Sequence, residues 1–293
     1  MRIVFIGTVI FSELMLEKLI ELKANVVGVL TKEESIINAD FRDLSKSVLV
    51  KNIECGYFRN INQLETKAWI ERRRPDVIFC FGLSQIIGKE ILEIAPMGVV
   101  GYHPALLPEN RGRHPLIWAI VLGLEQTGST FFFMDEGADT GDLLSQEVVV
   151  ISEGMNSQNL YDQITISSIN QIEKFLPELQ RGTYTKVAQD HTKANSWRKR
   201  SKNDGLLDFR MSASKIRQLI LALSKPHNGA HLVYNGNDVN VWESKEIKSF
   251  RVNDEPGKVL KSDRESIIIK CGENAIELLN HEFRSLPEIG EYL

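Results

Sequence analysis

Val99-Val100-Gly101-Tyr102-His103-Pro104-Ala105-Leu106-Leu107-Pro108-Glu109-Asn110-Arg111-Gly112 is the stretch that decides how this chain folds. Val99 to His103 is a short apolar-rich run, which reads as a strand buried in a parallel sheet rather than as a helix. Pro104 and Pro108 then bound a loop, because a proline ring has no N–H to give to a ladder and breaks a helix interior. A histidine is thereby carried to the carboxyl end of a strand. In open α/β sheets that is where ligands bind.

The same pattern repeats on either side. Strands are expected at Ile3–Ile6, Val26–Leu30, Val77–Phe81, Thr130–Met134 and Leu143–Ile151. Between them lie helical patterns: one opened by Ser12 as N-cap with Leu14, Leu16, Leu19 and Ile20 apolar, then Leu64–Arg72, Ile86–Ile94 and Pro115–Leu122. Residues 33–55 read as helix or loop without a clear assignment. A long helix from Asn156 to Glu178 follows. Strands alternating with helices over the first 150 residues give a doubly wound α/β sheet. The catalytic domain is expected to span 1–190.

Residues 191–209 are polar with few apolar anchors and read as a linker. Beyond it, Ala213–Leu223 is helical. Short strand-like runs then recur at Ala230–Tyr234, Val239–Trp242, Gly257–Leu260, Ser266–Lys270 and Ala275–Leu279, with Asn235-Gly236 and Cys271-Gly272 as turns. That spacing predicts a small β-barrel over 210–293.

Composition narrows the function classes. The 293 residues are 43% hydrophobic and 25% charged, enough for a sizeable core and against global disorder. A net charge of -4 argues against a general nucleic-acid binder, although Arg198 to Lys202 is a dense basic run. Cys55, Cys80 and Cys271 are odd in number and far apart, so free thiols in a reducing compartment are expected. His114, His191 and His227 show no zinc spacing, so no metal is expected. The apolar run at Met1–Ile6 is too short for a signal peptide, and no stretch approaches the roughly 20 apolar residues of a membrane helix. A soluble, cytoplasmic protein is expected, and a homodimer is compatible with the sequence.

Two constellations could carry chemistry. His103 is placed for proton transfer or for polarising a carbonyl. Asp135-Glu136-Gly137-Ala138-Asp139-Thr140-Gly141-Asp142 puts four carboxylates in eight residues, either to orient an imidazole or simply to make a surface turn. No GxGxxG, no P-loop and no GxSxG is present. The residues alone describe an α/β enzyme with a His/Asp site.

These motifs, in this order, resemble the folate-dependent formyltransferase family. Met-Arg-Ile-Val-Phe-Ile-Gly-Thr at residues 1–8 with Phe11-Ser12 looks like the family's first strand and turn. Phe81-Gly82-Leu83 with Ile86 resembles its folate-lining segment, and His103-Pro104-Ala105-Leu106-Leu107-Pro108 with Arg111-Gly112 its signature loop. Gly137 to Asp142 resembles its acidic loop, and Asp204-Gly205, Asp208-Phe209 and Gly257-Lys258-Val259-Leu260 its second domain. The resemblance implies a Rossmann-like domain with a parallel-rich sheet, a C-terminal barrel, and 10-formyltetrahydrofolate as the formyl donor. It assigns catalysis to His103 and Asp139. It gives donor contacts to Phe81, Gly82, Leu83, Ile86 and Asp142, and acceptor contacts to Thr8, Phe11, Ser12, Arg111 and Gly112.

One position departs. The family carries Asn two residues before the histidine, and here that residue is Gly101. The Asn is implied to hold the developing oxyanion, and losing one such donor costs about 10²–10³ in rate. Gln85 and Asn110 are the replacement candidates. The acidic net charge favours a nucleotide-linked amino sugar of a bacterial surface glycan as acceptor. The alternatives are the amine of methionyl-tRNA, and a folate-binding relative with altered catalysis.

Overall fold

The computed structural model describes residues 1–34, 40–49, 51–248 and 253–293. Strand β1 (Arg2–Gly7) is buried at all but its first residue. It lies inside a seven-stranded sheet with β2 (Asn25–Thr31), β3 (Cys55–Tyr57), β4 (Val77–Phe81), β5 (Val99–His103), β7 (Gln126–Phe133) and β8 (Leu143–Val150). A two-residue strand, β6 (Arg111–Gly112), lies outside it. The order is β3-β2-β1-β4-β5-β7-β8. β3 to β5 run parallel, and β7 is antiparallel to β5. β4 is buried at every position, as an apolar strand covered on both faces must be. Phe5, Phe81 and Phe131 interlock edge to face at 5.5 and 5.2 Å between ring centroids.

The chain runs outward from β1 to β2 and β3, then returns to lay β4 on β1's other side. The strand order therefore reverses between β1 and β4, and in open α/β sheets ligands bind beyond the strands' carboxyl ends at such a reversal. β5 ends one strand further along the same edge.

Helices α1 (Ile10–Glu21), α2 (Ser45–Leu49), α3 (Leu64–Arg72), α4 (Lys89–Leu92), α5 (Pro115–Leu122), α6 (Ser157–Arg181) and α7 (Ala213–Ala222) complete the fold. Three differ from the sequence expectation. α1 begins before Ser12, with Val9 as N-cap, so Ser12 is an interior residue of its first turn. α4 is only one turn long, because Asn62 takes the backbone groups a longer helix would use. Its Nδ2 donates to Ile86 O at 2.9 Å, and its Oδ1 accepts from Gly88 N–H at 2.7 Å. α6 runs through Pro177 to Arg181. In the unassigned 33–55 stretch, α2 and the start of β3 fall among the described residues, while 35–39 and 50 lie outside them.

The chain forms two compact units. One holds 1–112, 127–149 and 162–197; the other holds 113–126, 150–161 and 198–293. The second contains α5, α7 and an antiparallel half-barrel. Its strands are β10 (Ala230–Tyr234), β11 (Asn237–Ile247), β12 (Val259–Ser262), β13 (Ile267–Lys270) and β14 (Ala275–His281), in the order β10-β11-β14-β13-β12. Residues 191–197, read above as linker, carry a 3₁₀ turn (His191–Lys193) and strand β9 (Ser196–Trp197). β9 pairs parallel with β6 inside the first unit. Among the described residues no helix is long and apolar enough to cross a membrane.

Candidate active site

His103 closes β5 and is 5% exposed. Its Nε2 lies 2.8 Å from the carbonyl oxygen of Asn110, an acceptor only, so Nε2 carries the proton. Its Nδ1 faces Asp139 Oδ2 at 3.7 Å. The same Asp139 oxygen accepts the Gly112 N–H at 2.9 Å. Asp139 itself sits at φ 58°, a left-handed backbone that Asp tolerates better than most residues.

Gln189 holds that loop in place, and the sequence reading missed it. Its Nε2 donates to Asp139 O at 3.0 Å and to Gly141 O at 2.6 Å, while its Oε1 accepts from Arg111 Nη2 at 2.6 Å. Arg111 Nη2 also lies 3.0 Å from His191 Nδ1. Asn195 was missed as well. Its Oδ1 accepts the Asn110 N–H at 2.7 Å, and its Nδ2 donates to Asn110 Oδ1 at 3.1 Å. Three segments far apart in sequence thus build one site: the loop after β5, the acidic loop and residues 189–195. A lone Gln or Asn in a polar stretch gives no pattern that could have flagged this.

The Gly101 position is filled rather than open. A Cβ there would lie 2.7 Å from Met134 Cγ and 3.2 Å from Phe132 Cζ. A thioether and a ring, not a polar group, hold the space of the family's Asn. The two replacement candidates are largely committed elsewhere. Gln85 spends its Oε1 on Ile61 N–H at 2.8 Å and its Nε2 on Arg59 O at 2.9 Å. Asn110 is tied to Asn195 and His103 through its backbone and its side-chain oxygen, leaving only its Nδ2.

Thr8, Phe11 and Ser12 are buried, at 2%, 5% and 0% exposure. Thr8 Oγ1 donates to Gly82 O at 2.9 Å and Ser12 Oγ to Phe81 O at 2.6 Å, bridging the ends of β1 and β4. Phe11 stacks on Tyr102 at 4.3 Å. These three side chains are turned inward, onto the ends of β1 and β4 and onto Tyr102 of β5. Arg111 is likewise buried and turned to Gln189 and His191. Gly112 contributes its N–H to Asp139.

Of the donor contacts, Phe81 is a core residue and Leu83 is partly buried against the core. Gly82 is at φ 70°, where a Cβ would also strike Val9 Cγ2. Ile86 and Asp142 present exposed side chains. The three cysteines are free, and burial pushes the Cys80 and Cys271 thiols up to about 12, which makes them poor nucleophiles.

Comparison with known proteins agrees with this architecture. The profile described as "Formyl transferase" matches residues 1–172, and "Formyl transferase, C-terminal domain" matches 199–288. The methionyl-tRNA formyltransferase of Caldanaerobacter subterraneus subsp. tengcongensis is 31% identical over 300 residues, covering 100% of this chain and 96% of that protein. Two solved structures share the fold at low identity. The N-formyltransferase from Helicobacter canadensis, with folinic acid and dTDP-3-aminofucose, superposes at TM-score 0.73 and 15% identity over 94% of this chain and 98% of that one. HypX from Aquifex aeolicus with tetrahydrofolic acid gives TM-score 0.68 and 19% identity; it covers 97% of this chain, which spans only 44% of HypX. A profile matching more than half the chain, and a relative aligned along its full length, make this protein a member of the formyl transferase family.

Proposed function

We propose that this enzyme moves a formyl group from 10-formyltetrahydrofolate to a primary amine carried on a phosphate-bearing molecule, in the cytoplasm. The observation that carries the reading is His103 held at a strand's carboxyl end with Asp139 facing its ring at 3.7 Å. The amine nitrogen bonds to the formyl carbon, the bond from that carbon to folate N10 breaks, and one amine proton ends on N10. His103 relays that proton, and Asp139 orients the ring and supports it when charged. The donor lies beyond the carboxyl ends of β1 and β4, against Gly82, Leu83 and Ile86.

Two acceptors are in play, and the sequence relatives reorder them. Full-length likeness to methionyl-tRNA formyltransferases supports the amine of methionyl-tRNA as the first reading. The nucleotide-linked amino sugar of a surface glycan is the second. It is favoured by the net charge of -4, which repels a long polyanion, and by the nucleotide-sugar neighbour. A direct competition tests both. Purified protein is given 10-formyltetrahydrofolate with charged initiator tRNA or with a panel of nucleotide amino sugars, and release of tetrahydrofolate is followed. Turnover with one acceptor identifies the reading. Folate binding without turnover on either acceptor would sink the transferase reading and leave a folate-binding relative.

A further inference from the structure

Residues 189–197 lie across the loop after β5 as a short strap, fixed at both ends. Gln189 anchors one end on Asp139 O and Gly141 O. Asp190 then turns the chain: its Oδ1 accepts from the Thr192 N–H at 3.1 Å and from Thr192 Oγ1 at 2.6 Å. β9 anchors the other end, with Ser196 paired to Arg111 and Trp197 to Gly112. Asn195 sits between these anchors. Its backbone oxygen accepts the Arg111 N–H at 3.1 Å. Its Oδ1 accepts the Asn110 N–H at 2.7 Å, and its Nδ2 donates to Asn110 Oδ1 at 3.1 Å. One residue thus grips two consecutive residues of the loop.

What it grips is a backbone in an uncommon conformation. Asn110 is at φ 62°, the left-handed region that residues other than glycine enter at a cost, asparagine less than most. In that conformation the Asn110 carbonyl oxygen lies 2.8 Å from His103 Nε2. A carbonyl only accepts, so the neutral ring keeps its proton on Nε2, and Nδ1 carries the lone pair. Nδ1 is 3.7 Å from Asp139 Oδ2, too far for a direct hydrogen bond. A proton arriving at Nδ1 lands on the side where the carboxylate attracts the charge it brings. Releasing Asn110 removes the constraint that selects one ring nitrogen for the proton.

We propose that Asn195 is a positioning residue for formyl transfer: through the Asn110 carbonyl it keeps the neutral His103 ring protonated on Nε2. Nδ1 then takes the proton as the amine nitrogen bonds to the formyl carbon, and returns it to folate N10 as the bond from carbon to N10 breaks. The hold on the ring stands on its own geometry; its part in transfer rests on the reading above that His103 relays the proton.

The test records ¹⁵N–¹H spectra of the His103 ring in the full chain, in mildly alkaline buffer where an imidazole is neutral. Wild type is set beside Asn195→Ala and Asn195→Asp, and the His103 signals are assigned by their loss in His103→Gln. In parallel, kcat and the KM for 10-formyltetrahydrofolate are measured with whichever of charged initiator tRNA and the nucleotide amino sugars turns over. Wild type should show a single form protonated on Nε2. Asn195→Ala should show both forms, and its kcat should fall about tenfold with the folate KM little changed, the scale of one to two ordinary hydrogen bonds. Asn195→Asp keeps an oxygen for the Asn110 N–H and should recover most of both readouts. Ser196→Ala, at the exposed residue next door, should change neither. A wild-type ring protonated on Nδ1 overturns the proposal whatever the variants do, and so does a wild-type spectrum in Asn195→Ala. Asn195→Leu, near asparagine in shape and without its polar atoms, takes the alanine's place should that variant fail to fold. A mixed spectrum with unchanged kcat overturns the part played in transfer. Absence of turnover in the wild type refutes the transferase reading, and the spectra still judge Asn195.

Discussion

The turn after β1 and the loop after β5 leave the same edge of the same sheet, yet they use their polar side chains differently. Thr8 and Ser12 reach a neighbouring strand and stop at backbone carbonyls, so nothing they hold can change its protonation or position. The loop after β5 is tied through side chains that are themselves held by other side chains: Asp139 by Gly112 and Gln189, Gln189 by Arg111, Asn110 by Asn195. The first region is a wall. The second is a network with an ionisable pair at its centre, and that is where chemistry can occur.

If this division is right, the largest effect belongs to His103. His103→Ala should lower transfer by about 10²–10⁴ while folate binding and the melting temperature stay near wild type. Near-normal turnover would erase the distinction between the two regions. Asp139→Asn keeps an oxygen for the Gly112 N–H but loses the charge facing the ring. We expect a fall of about 10–10² in kcat with the folate KM little changed. A rise in KM alone would return Asp139 to the role of a loop residue.

Gln189→Ala sharpens the comparison, because it leaves the carbonyls of Asp139 and Gly141 and the Arg111 guanidinium without their partner. A stability loss of about 1–3 kcal/mol by denaturant titration should come with reduced kcat. Gly101→Asn should gain no activity and should cost about 1–3 kcal/mol, since Met134 must leave its place. Adding Met134→Ala should recover part of that loss; a rate increase in Gly101→Asn alone would show that the donor was simply missing. Ser12→Ala belongs to the wall, and should cost about 1–2 kcal/mol and leave kcat unchanged.

What the sequence revealed follows the same line. Strand positions were legible because buried apolar runs are local signals, and β1, β4 and β5 fall where Ile3–Ile6, Val77–Phe81 and Val99–His103 lie. His103 was legible because a strand end and a proline are read within five residues. The partners of the site were not, because Gln189 meets Asp139 across 50 positions and Asn195 meets Asn110 across 85. Ser12 was misread for a related reason. Its hydroxyl can cap a helix, but here it donates to Phe81 O 69 positions away. What fills the space at Gly101 was not legible, because a sequence shows the missing side chain and not the Met134 side chain that lies 33 positions away.

The interleaving of the two compact units has a consequence for how this chain is made. The backbone passes from one unit to the other five times, so neither is a continuous stretch. α5, an almost wholly apolar helix, leaves the ribosome long before α7 and β11, which belong to the same unit. During that interval its greasy face has no native cover and must be shielded by transient contacts or by a chaperone. Shortening the gene from its 3′ end would therefore not yield a tidy first domain, but a product that exposes α5 and aggregates.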